Sequence, residues 1–367
     1  MIDPRLQKLA RVLVHYSVKV RPGHLVRLSG PMVAAPLLGA LYEEVLRAGG
    51  HPLVRVGLEG AEEVFYALAS DEQLAFVSEV ERVEVERVDA HIGVWANTNT
   101  RALTNVDPRR IARRQEAWRP IQERFLERAA AQALRWCGTQ FPTAADAQEA
   151  DMSLREWEEF VFGAGMLDQE DPVAAWEAMG REQERLIAYL ERCGTLELHG
   201  RDIDLVVGIR GRKWIKAAGE YNFPDGEIFT GPVEDDVDGR VRFSFPAVSQ
   251  GRVVEGVELV FERGRVVQAR ADRGQDFLLA MLEVDEGARR LGEFAFGLNE
   301  RITRFTKHIL FDEKIGGTVH MALGSGYPET GSRNRSGLHW DLICDLREGS
   351  EVRADGQVIY RDGRFLI

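Results

Sequence analysis

The stretch Arg192-Cys193-Gly194-Thr195 divides the chain into two grammars. Before it, 146–192 is acidic, carries tryptophans and reads as mostly helical. After it, short β-type runs are separated by Gly, Asp and Pro turns. The domain junction is therefore placed near Cys193-Gly194. Residues 1–193 form an N-terminal α/β domain with a helical extension, and 194–367 a β-rich α+β domain.

Working back toward the N-terminus, helix and strand patterns alternate. Arg5–His15 has helical apolar spacing through Leu6, Leu9, Val12 and Leu13. A strand over His24–Leu28 follows Pro22-Gly23. Ala34–Ala48 is a helix that stops at Gly49-Gly50, and Pro52–Val56 is a second strand. Helical segments cover Ala61–Leu68 and Asp71–Phe76, and a strand covers Ala90–Trp95. This βαβ rhythm implies a mostly parallel sheet covered by helices. No glycine-rich phosphate loop follows the first strand, only Ser29-Gly30-Pro31, which argues against a nucleotide-binding site. Asp107–Ala133 reads as a long basic helix whose Arg109, Arg110, Arg113 and Arg114 form a solvated face.

Working forward, Val257–Phe261 and Val266–Arg270 flank Glu262-Arg263-Gly264-Arg265 as a hairpin. Gln275–Val284 is the one helix pattern. Val352–Leu366 holds two more short strands around Asp355-Gly356 and Asp362-Gly363.

The 367 residues, 44% hydrophobic and 29% charged, have the balance of a folded globular chain. With 47 basic against 59 acidic residues the net charge is −12, which argues against nucleic acid as a partner. The apolar runs fall short of a membrane span, and Met1-Ile2-Asp3-Pro4-Arg5 lacks the features of a secretion signal. Cys137, Cys193 and Cys344 show no paired spacing. They read as small buried hydrophobes in a reduced, cytoplasmic chain.

Chemistry concentrates in the second half. In His339-Trp340-Asp341, strand alternation points the imidazole and the carboxylate to one face and the indole to the other. That pair suits a divalent ion, or a hydrogen bond that stabilises a sheet. In Ile315–Gly324, read as a strand, Val319, Met321 and Leu323 face a core and His320 shares the other face with Ala322. In Gly292–Gly297, Phe294 and Phe296 face the core, opposite Glu293, Ala295 and Gly297. Glu227 follows the turn Pro224-Asp225-Gly226. Each acid alone reads as a surface residue. Around Glu293 and His320, however, the neighbours on the same face are small and leave room for an ion and a substrate. Glu227, Glu293, His320, His339 and Asp341 together suit zinc, cobalt or manganese. Three carboxylates and one bridging hydroxide balance two divalent ions, as in two-metal hydrolases. No His-Glu-x-x-His motif is present.

These residues stand in segments that resemble the aminopeptidase T family of dinuclear metallo-aminopeptidases, also called the thermophilic metalloprotease family. The segments are Asn222–Thr230, Leu291-Gly292-Glu293, Phe311–Gly324 and His339-Trp340-Asp341. In the first half they are Tyr16–Val20 with Pro22-Gly23, Asn99–Leu103 and Gly138–Thr143. The chain is shorter than typical members, and the stretch between Glu293 and His320 is slightly contracted. The resemblance implies that Glu227, Glu293, His320, His339 and Asp341 bind two metal ions. It also implies that Tyr327, in Gly324–Glu329, is catalytic and that the protein is a homodimer. The expected activity is removal of single residues from peptides with a free N-terminus, by attack of a metal-bridging hydroxide. Glu293 would bridge the ions or carry the proton to the leaving amine, and Tyr327 would donate to the oxyanion. The N-terminal domain is expected to limit access and favour short peptides. The rival readings are a metallo-amidase or dipeptidase, and a binding protein with a vestigial site.

Overall fold

The computed structural model describes residues 3–249 and 252–367. It divides into two compact units, one made of residues up to 173 with 219–224, the other of 174–218 with 225–367.

The first unit is built on a parallel sheet. Its strands are β1 (Leu25–Pro31), β2 (His51–Gly57), β3 (Ala90–Trp95), β4 (Arg135–Gln140) and the short β8 (Asn222–Phe223), in the order β2-β1-β3-β4-β8. Alternation places Val26 and Leu28 of β1, and Ala90, Ile92 and Val94 of β3, in the core. Helix Ala35–Arg47 ends where Gly49 takes φ +78°, and the Gly50 N–H closes back onto Val45 O at 2.9 Å. β4 and β8 are strands that the sequence pattern did not indicate. β8 is held by Gly138 N–H donating to Tyr221 O at 2.8 Å and by Thr139 Oγ1 donating to Phe223 O at 2.8 Å.

One expectation fails here. On helix Pro108–Ala130, Arg109 is solvated, but Arg110 and Arg114 are not simply surface charges. Arg110 donates to the Tyr66 and Ala69 carbonyls, and Arg114 to those of Leu74 and Phe76. These carbonyls lie at the ends of helices Ala61–Leu68 and Asp71–Ala75, where they have no partner within their own helix. Cationic donors suit those ends.

The second unit is antiparallel. One sheet contains β5 (Thr195–His199), β6 (Ile203–Gly208), β10 (Val237–Arg242), β13 (Glu258–Glu262), β14 (Arg265–Arg270), β18 (Glu351–Ala354), β19 (Gln357–Arg361) and β20 (Arg364–Phe365), ordered β14-β13-β10-β6-β5-β18-β19-β20. The C-terminal run thus holds three short strands rather than the two expected. A second sheet contains β7 (Ile215–Ala217), β9 (Glu227–Thr230), β15 (Leu291–Gly297), β16 (Thr318–Gly324) and β17 (His339–Asp345), ordered β17-β16-β15-β9-β7. β11 (Ala247–Ser249) pairs antiparallel with β12 (Arg252–Val254).

Both large sheets contribute to one core. Phe294, Phe296, Val319, Met321 and Trp340 enter it from the second sheet, and Leu198, Leu205 and Leu259 from the first. Phe296 packs on Trp214 at 6.1 Å and Phe365 at 4.9 Å between ring centroids. Truncating such a ring to alanine costs about 3–5 kcal/mol. Among the described residues, Cys137 and Cys344 are buried and Cys193 is half-buried, and none of the three is in a disulfide. No helix among the described residues is long and apolar enough to cross a membrane.

Candidate active site

The face of the β17-β16-β15-β9-β7 sheet opposite the core carries the candidate residues. Cross-strand register sets Asp341, Ala322 and Glu293 in one row, and His320 beside Ala295 in another. Glu227 pairs with Gly297. The alanines leave the space above the sheet to the polar side chains, whereas Ile315 O closes over Gly297.

A bulge aims Glu293. Leu291 pairs with Leu323 and Glu293 with Ala322, so Gly292 is the extra residue. Leu291 therefore enters the core, and Glu293, two positions on, faces away from it. A Cβ at Gly292 would lie 2.3 Å from Ser325 O, so only glycine fits this bulge.

Both imidazoles are fixed by backbone carbonyls. His320 Nδ1 is 2.9 Å from Glu313 O, and His339 Nδ1 is 2.8 Å from Ser325 O. A carbonyl only accepts, so each Nδ1 carries a proton and each Nε2 is the nitrogen turned to the site, where it takes a second proton or a metal. His320 Nε2 lies 3.4 Å from Glu293 Oε1 and 3.5 Å from Glu227 Oε2. His339 Nε2 lies 3.6 Å from Glu293 Oε2 and 3.6 Å from Asp341 Oδ1. Glu293 therefore turns one oxygen to each ring.

The electrostatics are those of crowded, desolvated acids. Burial pushes the Glu227 carboxyl up to about 8, against the pull of Lys314. Burial raises Asp341 to about 6, opposed by His339. Burial would lower His320, but Glu293 and Glu227 outweigh it and hold the ring up to about 10.

Two residues at the site were not singled out in the sequence. Glu313 groups with His320 and Asp341, with one donor atom of each within 4.8 Å of the others; Glu293, His339 and Asp341 form a second such group. Glu227 lies outside both groups and meets the cluster through His320 and through Lys314, whose Nζ is 3.5 Å from Glu227 Oε1. Lys314 also pairs with Glu313. Glu313-Lys314 directly follows a one-turn helix, Ile309–Asp312, and in sequence looks like an exposed charged turn. The signal available in the sequence was its place between the two site strands β15 and β16.

Tyr327 stands at the rim, 42% exposed. Its ring packs on Phe229 and His339 at 5.3 and 5.6 Å. Thr330 Oγ1 donates to its carbonyl at 2.6 Å. Burial and then the nearby Glu293 and Asp341 charges push the phenol above its ordinary range, so it keeps its proton.

The donor set fits divalent cations. Oxygen and nitrogen donors about 2.1 Å from one tetrahedral ion lie about 3.4 Å from each other, close to the 3.4–3.6 Å spacings of the two imidazoles from their carboxylates. Glu227 Oε2 and Asp341 Oδ1 are buried with no hydrogen-bond partner. A buried carboxyl oxygen in that condition is costly unless a donor or a cation meets it.

Fold and site together define a metallohydrolase-type centre of carboxylates and imidazoles on an antiparallel sheet. The chain belongs to the thermophilic metalloprotease family M29, whose model matches residues 2–365. It is 31% identical to aminopeptidase T of Thermus thermophilus over 98% of this chain and 95% of that one. It is 28% identical to aminopeptidase 2 of Geobacillus stearothermophilus, over 99% and 95%. The solved structure of wild-type AmpT from Thermus thermophilus superposes with a TM-score of 0.88, at 29% identity and covering 100% of both chains.

Proposed function

We propose that this site hydrolyses the first peptide bond of substrates with a free N-terminus. The chain is a metal-dependent aminopeptidase; the residue roles below are our reading. Glu227, Glu293, His320, His339 and Asp341 hold two divalent ions of the zinc, cobalt or manganese kind. Ions bound there supply Lewis-acid chemistry to an amide carbonyl and to water. The observation that carries the assignment is Glu293, whose two oxygens face two different imidazoles. That arrangement would let Glu293 help to hold both ions, which leaves proton transfer to Glu313. Burial opposes ionisation of Glu313, but Lys314 and His320 overcome it and keep the carboxylate below its ordinary range. It accepts a proton from water and returns it to the leaving amine. The Tyr327 phenol donates to the developing oxyanion.

The family resemblance supports a homodimer, and the reading also includes a preference for short peptides and a cytoplasmic location, the latter because the cysteine spacing offers no disulfide framework. We take residues 194–367 as the catalytic domain and 1–193 as the N-terminal domain. The deciding experiment compares free and N-acetylated aminoacyl substrates before and after dialysis against a chelator. Hydrolysis of the free series alone, restored by zinc, cobalt or manganese, is expected. Equal turnover of the acetylated series would make the protein an amidase instead. Light scattering should report twice the 41.3 kDa chain mass.

A further inference from the structure

Lys314 carries a charge in the site that ligand binding and proton transfer leave unused. Its side chain is 0% exposed. Its ammonium lies 3.5 Å from Glu227 Oε1 and pairs with Glu313 Oε1. A fully buried ammonium is tolerated only where anionic partners meet it, as these two carboxyl groups do. The local chain is also pinned: Lys314 N–H donates to Phe311 O at 3.0 Å, and Lys314 O accepts from Asn299 N at 3.0 Å. The ammonium therefore has a fixed position among the acids.

Its placement divides the Glu227 carboxylate. Oε1 faces Lys314, and Oε2 faces His320 at 3.5 Å. The four carboxylates Glu227, Glu293, Glu313 and Asp341 with one ammonium carry a formal charge of −3, that of a three-carboxylate set. Lys314 thus cancels the charge that Glu313 adds.

Resting on the reading that divalent ions bind here, we infer that Lys314 is a positioning residue that limits cation affinity at the Glu227–His320 side. It does so by occupying one edge of Glu227, and it fixes Glu313 at the same time. Two consequences of removing its charge act in the same direction. Glu227 gains a second oxygen for a cation, and the cation loses a like charge nearby. At an effective dielectric constant near 20, a charge a few ångströms away changes affinity by at least about tenfold. A lysine that only supported the fold would give the opposite sign, because its loss would loosen the ligands and weaken binding.

The test is titration of Mn²⁺ against a fluorescent chelator for the whole protein and its Lys314→Gln variant. Glutamine keeps a donor for Glu227 but not the charge. The expected result is one Mn²⁺ bound about tenfold or more tighter in the variant, the other changed by less than about threefold, and a lower kcat. Equal or weaker binding of both ions by a folded variant would overturn the inference. If Lys314→Gln folds only with metal, it is prepared with Mn²⁺ and the rate of release to the chelator is read. Slower release than in the parent supports the inference, and equal or faster release overturns it. A variant unfolded even with Mn²⁺ makes Lys314 a structural lysine and overturns it as well. If the parent binds no Mn²⁺, the metal reading itself fails, and the inference with it.

Discussion

Each unit of the molecule sets a histidine among charged groups on one face of a sheet, and the two are wired in opposite ways. In the parallel sheet, His91 of β3 accepts at Nδ1 from Arg27 at 3.1 Å. Its Nε2–H therefore donates to Ser29 Oγ at 2.8 Å. Both nitrogens are spent, and the ring is covered edge-on by Phe125. The nearby acid, Glu84, is held by Arg55 at 2.6 Å and faces Arg27 at 3.6 Å. Burial and the Arg27 charge push His91 down to about 3, so it stays neutral. In the antiparallel sheet, His320 spends only Nδ1, on a carbonyl. Its Nε2 faces carboxylates that can only accept. That nitrogen requires a proton or a metal. The same residue type is closed by arginines in one sheet and left open by carboxylates in the other, and only the open one can take a cation.

The largest expected effect that would break this contrast is metal removal. Exhaustive chelation should abolish hydrolysis, and His339→Ala and Asp341→Ala should each lower metal content while far-UV circular dichroism stays native. Full activity with no metal detected by elemental analysis would equate the two histidines. Next, Glu313→Gln should lower kcat by about 10²–10⁴ with metal content retained; a near-normal kcat would return proton transfer to Glu293. Tyr327→Phe should lower kcat by about 10²–10³, the scale for one oxyanion donor, with little change in KM. Loss of metal in this variant would make the phenol a support of the ligands instead.

The smallest effect concerns His91. His91→Phe leaves Ser29 and Arg27 short of a partner and should cost about 1–3 kcal/mol in denaturant melts, with unchanged kcat and metal content. Its pH dependence has a definite sign. The unfolded ring titrates near 6.5 and the folded one near 3, so in that window the unfolded chain binds more protons. Wild-type stability therefore falls as pH drops from 6.5 toward 3, by up to about 1.4 kcal/mol per pH unit from this group. The His91→Phe variant should lack that part of the slope. An identical slope would show that His91 is already charged in the folded state.

Period-two alternation was enough to put Glu293, His320, His339 and Asp341 on faces opposite their core neighbours. A strand leaves no other choice once Phe294, Met321 and Trp340 must be buried. The same logic had no purchase on Glu313 and Lys314. They follow a single helical turn, where no periodicity distinguishes a buried charge from a solvated one. Arg110 and Arg114 were misjudged for a related reason: what they cap are carbonyls of other helices, about forty residues away in sequence.

Local spacing and chemistry were enough for the two grammars, the core faces of β15, β16 and β17, and the set of residue types able to hold metal. The tertiary structure alone decided which of those groups meet. It brought β8 back to the parallel sheet and used the bulge at Gly292 to turn Glu293 toward both imidazoles. It also set a charged lysine between Glu227 and Glu313. Register, bulges and buried charge pairs depend on contacts between distant segments, and their energies exist only once the whole sheet has closed.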